Sequence, residues 1–99
     1  MITAISPDEA GRVIHQTMTG ILGDLASAFF FKILKRKTQI TSSEITTNPE
    51  AFSTLLRDLF GSGVTAIERS IVHELSRQFD PRLSTKEFLE AIDELSNRA

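Results

Sequence analysis

The stretch NPEAFSTLLRDLFGSGVTAIERSIVHELSRQFDP, residues 48–81, decides the fold. Asn48 is a favourable N-cap, Pro49 suits a first helical position, and Gly61 is a natural stop, so a helix is predicted over 49–60. Phe52, Leu55, Leu56, Leu59 and Phe60 recur at helical spacing and make a one-sided apolar stripe. "GSG" at 61–63, with Gly61 and Gly63, reads as a tight turn. It leads into a helix over 64–79 that ends before Asp80-Pro81, since proline disfavours a helical predecessor. Val64, Ile67, Ile71, Val72, Leu75 and Phe79 form its apolar arc, and Glu68 projects into the middle of that arc. A capping box Thr65…Glu68 would fold this carboxylate back onto the helix start. Otherwise Glu68 is a buried acceptor for a backbone donor or for an arginine across an interface.

Upstream, "SPDEAGRVIH" opens a helix expected over about 7–20. Ser6 is the N-cap, Pro7 takes the first position, and Glu9 supplies the reciprocal carboxylate of a capping box. Gly20 and Gly23 are expected to end or bend this element. A second helix follows over about 24–37. Downstream, the box Ser84…Glu87 opens a helix expected over about 85–98, with Phe88, Leu89, Ile92 and Leu95 on its apolar face. "TQITSSEITTN" between the second and third helices is an extended connector or a short helical turn, pinned to the core by Ile40 and Ile45. No convincing pair of strands exists. The expectation is a compact all-α bundle of about five helices, one domain over 1–99, without a sheet.

The stretch AFFFKILKRK, residues 28–37, raises a harder question. At about 100° per residue, Leu22, Leu25, Ala26 and Ile33 cluster within about 60° of Phe29, and Phe30 and Leu34 widen that stripe. Phe31 falls about 200° away, on the nominally polar face. Either this helix is central and packed on two sides, or Phe31 lies on a patch completed by a second chain. Basic and apolar residues do not segregate onto two clean faces, which argues against a membrane-surface helix. The interface candidates are therefore Phe30, Phe31 and Leu34 on the second helix. Glu87, Glu90 and Glu94 on the last helix join them as charged groups able to fix orientation between chains.

Lys32, Lys35, Arg36 and Lys37 form a dense cation cluster. Cations in a last helical turn complement the helix dipole. The rival reading is an anion or nucleic-acid patch. With no tyrosine or tryptophan to stack on bases and an overall charge of −2, that reading has less support. Charge is weakly bipolar, with five cations against three anions in residues 1–40 and six against ten in residues 41–99. Such a molecule suits self-association or docking.

Chemistry is hard to place. The chain has no cysteine, which excludes disulfides, thiolate metal sites and cysteine nucleophiles. "GSG" lacks the lysine and glycine spacing of a phosphate loop, and "HELSR" carries Arg77 where a zinc-protease motif needs histidine. His15 and His73 sit on separate helices, and Ser70 with His73 has no orienting acid. No catalytic, metal or cofactor site is expected. The start lacks a secretory pattern, and "ILGDLASAFFFKIL" is broken by Asp24 and Lys32, so a cytoplasmic protein with no membrane partner is expected.

Taken together, Leu22-Gly23, Pro49–Phe52, Phe60–Gly63 and Glu68 resemble the recurring features of a family of small archaeal helical domains, the Nitrosopumilus output domain of the fifth type. The resemblance covers about residues 12–80. It implies a stand-alone or fused module of archaeal signalling proteins, with no assigned activity and no ligand. The residues and the resemblance lead to one expectation, a non-enzymatic interaction module acting as a homodimer that docks a protein partner. The alternative is a DNA- or RNA-binding regulator using Lys32–Lys37.

Overall fold

A computed structural model describes residues 6–96 as five α-helices and three short 3-10 segments, with no strand among the described residues. The all-α bundle expected from the sequence is the fold observed. Helix α1 spans Pro7–Leu22, α2 Asp24–Thr38, α3 Pro49–Phe60, α4 Val64–Gln78 and α5 Phe88–Ser96. The radius of gyration, 12.5 Å, matches the ~13 Å of a single compact domain this long.

Local chemistry explains most of the boundaries. The Glu9 amide donates to Ser6 Oγ at 3.2 Å and the Glu9 carboxylate returns to the Ser6 side, a complete capping box. Asn48 Oδ1 accepts from the Ala51 amide at 3.3 Å, with Pro49 at the first position of α3. Gly61, at φ 56°, ends α3 in a conformation that L side chains rarely adopt. α1 does not end at Gly20. It continues to Leu22 and stops at Gly23, whose φ of 90° and ψ of 164° are accessible to glycine almost alone. α2 starts at the next residue, so the two helices share a one-residue elbow.

The connector is the helical alternative: a 3-10 segment over Ser42–Thr47, with Ile40 and Ile45 buried as expected. It lies against α1 where Gly11 has no side chain. A Cβ on Gly11 would collide with the Ser42 carbonyl oxygen and come within 2.9 Å of Ser43 Cα.

Two expected caps do not form. α4 leaves the Gly61–Gly63 turn without a side-chain cap, so Thr65 and Glu68 make no capping box. Glu68 instead accepts a 2.6 Å hydrogen bond from Ser53 Oγ on α3. Ser84 does not open α5 either, because it lies within a 3-10 segment, Pro81–Thr85, that Asp80 starts by accepting from the Arg82 amide at 3.0 Å. α5 therefore begins at Phe88, with Glu87 ahead of it. Residues 97 and 98 of the helix expected over 85–98 lie outside the described residues.

One continuous core joins all five helices. Phe30 of α2 meets Phe52 of α3 edge-on at 5.5 Å, and Phe52 meets Phe88 of α5 at 5.6 Å. Ile14 and Met18 of α1 and Ile71 and Leu75 of α4 are fully buried around this aromatic line. Phe88, Ala91, Ile92 and Leu95 bury α5 on its own chain.

Candidate interaction surface on the second helix

α2 has two apolar sides, and the fold uses only one. Ser27, Phe30 and Leu34 point inward and are buried. The buried Ser27 hydroxyl is satisfied by Thr19 Oγ1 at 3.0 Å, which ties the helix to α1. Phe31 is half-buried beside them, its ring stacked on His15 at 4.5 Å. At about 100° per residue, Leu25 and Phe29 fall on the opposite side. Leu25 is 87% exposed and Phe29 63% exposed.

This corrects the expected orientation. Of the stripe centred on Phe29, Leu25, Ala26 and Phe29 itself are exposed, whereas Leu22 and Ile33 are half-buried against the core. Phe30 and Leu34, expected at an interface, are core residues. Phe31, the ring expected on the outer patch, is held by its own chain. Angular spacing alone showed two arcs on α2 but not which arc meets α1 and α3.

The outer face extends past the elbow. Leu22, next to the elbow, borders it, whereas Ile21, 43% exposed in the last turn of α1, lines a different groove with Val13, Gln16 and Ala66. Leu22, Leu25, Ala26, Ala28, Phe29 and Lys32 line a shallow hollow of about 840 Å³ here, with Gly23 and Asp24 at its edge. Single exposed apolar residues are ordinary on protein surfaces. A contiguous group including a phenylalanine and a leucine one helical turn apart is not, and such patches mark interaction sites.

Charges frame this face. Asp24 stands at its N-terminal end and Lys32 at its C-terminal end, both exposed, and neither has an ion-pair partner among the described residues. Lys32 and Arg36 continue the outer face, whereas Lys35 and Lys37 project about 100° to either side. The four cations therefore fan around the helix end rather than form one flat patch. Lys35 also attracts the Glu44 carboxylate, whose pKa is held below the ordinary value mainly by the Thr41 amide and hydroxyl.

The acidic candidates of the last helix are exposed but partly engaged within the chain. Glu90 Oε1 lies 3.4 Å from the Glu87 amide. Glu94 approaches Lys86 at 3.9 Å.

Nothing among the described residues gathers into a reactive centre. His15 is committed to Phe31, Ser70 donates to the Ala66 carbonyl of its own helix at 3.0 Å, and His73 lies exposed. No group of three or more His, Asp or Glu side chains suited to a metal ion occurs among the described residues. None of the described helices is long and apolar enough to cross a membrane.

No family model matches the chain, and no curated protein or solved structure is found similar to it.

Proposed function

We propose that the chain is a non-enzymatic helical interaction module that self-associates through the outer face of α2 and docks a protein partner as a homodimer. One observation carries this reading: Leu25 and Phe29, one turn apart on α2 and lining one hollow with Leu22, Ala26 and Ala28, are apolar residues that the chain's own fold leaves uncovered. Burying a leucine and a phenylalanine is worth roughly 1.5–3 kcal/mol each, before the cost of association. The small size of the face, about two turns of α2, favours a micromolar rather than a nanomolar pairing. A cytoplasmic signalling output role, of the archaeal kind implied by the resemblance over residues 12–80, is part of the same proposal.

The nucleic-acid reading of Lys32, Lys35, Arg36 and Lys37 has less support, because the four cations diverge around a helix end whose dipole they complement. Sedimentation equilibrium over a wide concentration range tests the proposal. The mass should rise from 11.0 kDa toward twice that value, and a mass constant at the monomer value would contradict it.

A further inference from the structure

We propose that the two copies pair antiparallel along α2, about a twofold axis at the level of Ser27, with Asp24 of each chain facing the partner's Lys32. This rests on the self-association proposed above and adds its geometry.

The register follows from the placement of residues on the face. Leu25 and Phe29 lie two residues to either side of Ser27, so an antiparallel twofold brings Leu25 level with the partner's Phe29, and the reverse. Ala26 and Ala28 between them are small and exposed, which lets the helices approach closely. Asp24 then lies about 4.5 Å along the axis from the centre, and the partner's Lys32 about 7.5 Å on the same side, at 1.5 Å per residue. A lysine side chain spans that offset.

A twofold axis perpendicular to both helices keeps each edge of the face against the same edge of the partner. At about 100° per residue Asp24 and Lys32 fall on the same side of the Leu25–Phe29 line, about 100° and 20° from Leu25, so they approach each other along one side of the pair. Both are exposed and without an ion-pair partner within the chain among the described residues.

Charge also selects this orientation over the parallel one. A parallel pairing would set Lys32, Lys35 and Arg36 beside the same three cations of the partner, and like charges placed across an interface are costly. The antiparallel pairing separates the two basic ends, opposes the helix dipoles, and answers Asp24 and Lys32 with each other across the axis. A membrane surface answers Lys32 and Arg36 but not Asp24, so a second copy is the occupant that offers both a cation for Asp24 and an anion for Lys32.

The test is dimer affinity, by sedimentation equilibrium, for Asp24→Lys, Lys32→Asp and the double variant, with circular dichroism confirming that each is folded. Each single reversal disturbs two symmetry-related pairs and should weaken the dimer about tenfold. The double reversal should return the affinity to within about threefold of the unaltered chain. A dimer insensitive to both single reversals would overturn the antiparallel register while leaving self-association intact. A chain monomeric at every concentration would overturn self-association itself. Co-sedimentation of that monomer with phosphatidylserine vesicles would assign the face to a membrane instead.

Discussion

The ring of His15 is stacked on the ring of Phe31, with centroids 4.5 Å apart and planes inclined by 26°. Phe31 also meets Phe30 edge-on at 5.2 Å, so it is fixed between α1 and the core. The pair ties α1 to α2 just below the elbow at Gly23. Aromatic pairs contribute about 0.5–1.5 kcal/mol beyond their burial. His15→Ala should therefore lower stability by about 1–2 kcal/mol in urea while leaving the mass of the chain in solution unchanged. A variant that dissociates the dimer without losing stability would contradict this placement.

The glycines at 11, 20 and 23 make three different demands, and alanine should destabilise the fold at Gly11 and Gly23 but stabilise it at Gly20. At Gly11 a Cβ meets backbone that cannot swing aside, so Gly11→Ala should cost about 1–3 kcal/mol. At Gly23 the space is open but the backbone is one that alanine resists, so Gly23→Ala should cost about 1–3 kcal/mol through strain alone. Gly20 has open space inside a helix, and Gly20→Ala should stabilise by about 0.5–1 kcal/mol. Urea unfolding of the three variants gives the order, and equal effects at all three would refute it.

Ser53 and Glu68 couple α3 to α4 through the 2.6 Å hydrogen bond between them. Ser53 is buried and Glu68 half-buried, so water replaces the lost partner only in part. Ser53→Ala should cost about 1 kcal/mol. In a double-mutant cycle with Glu68→Ala the two losses should overlap by at least about 0.5 kcal/mol. Strictly additive losses would show that the hydrogen bond does not hold the helices together.

Glu44 links the fold to pH. Its carboxylate accepts from the Thr41 amide at 3.0 Å and from the Thr41 hydroxyl at 2.9 Å, with Lys35 nearby, and these hold its pKa below the ordinary 4.5. A carboxyl group with a depressed folded-state pKa adds stability that is present above the unfolded value and is lost as pH falls through the folded one. Glu44→Gln should therefore be less stable than the unaltered chain at neutral pH, with the gap closing as pH drops below 4.5. A gap that stays constant from pH 7 to pH 3 would contradict the assignment.

Which features were legible from sequence follows from how far their chemistry reaches. The Ser6…Glu9 box, the Asn48 cap with Pro49 and the Gly61 stop are complete within four residues of chain, and the fold reproduces them. Glu68 illustrates the opposite case. Thr65 stands at the right spacing for a box, but Ser53, 15 residues earlier, supplies the donor once α3 and α4 are packed. Ser84 was displaced by a stronger local signal, since Asp80-Pro81 starts a 3-10 turn that carries through Thr85. Gly11 offered no signal in its own helix, because the reason for it is a carbonyl 31 residues away at Ser42. The inner arc of α2 was illegible for the same reason. His15 and Phe52, on other helices, decide that Phe30 and Phe31 turn inward and Phe29 does not.

Phe29 and Phe31 compared side by side test the central claim most directly. Light scattering and thermal melting should be measured on the unaltered chain, on Phe29→Ser and on Phe31→Ser, at concentrations where the unaltered chain is dimeric. Phe29→Ser should be a folded monomer of 11.0 kDa whose melting matches that of the dilute unaltered chain. Phe31→Ser should still dimerise while losing about 2 kcal/mol of stability, since it empties a half-buried aromatic site. If instead Phe31→Ser gives the stable monomer and Phe29→Ser remains a dimer, the two faces of α2 have been assigned the wrong way round.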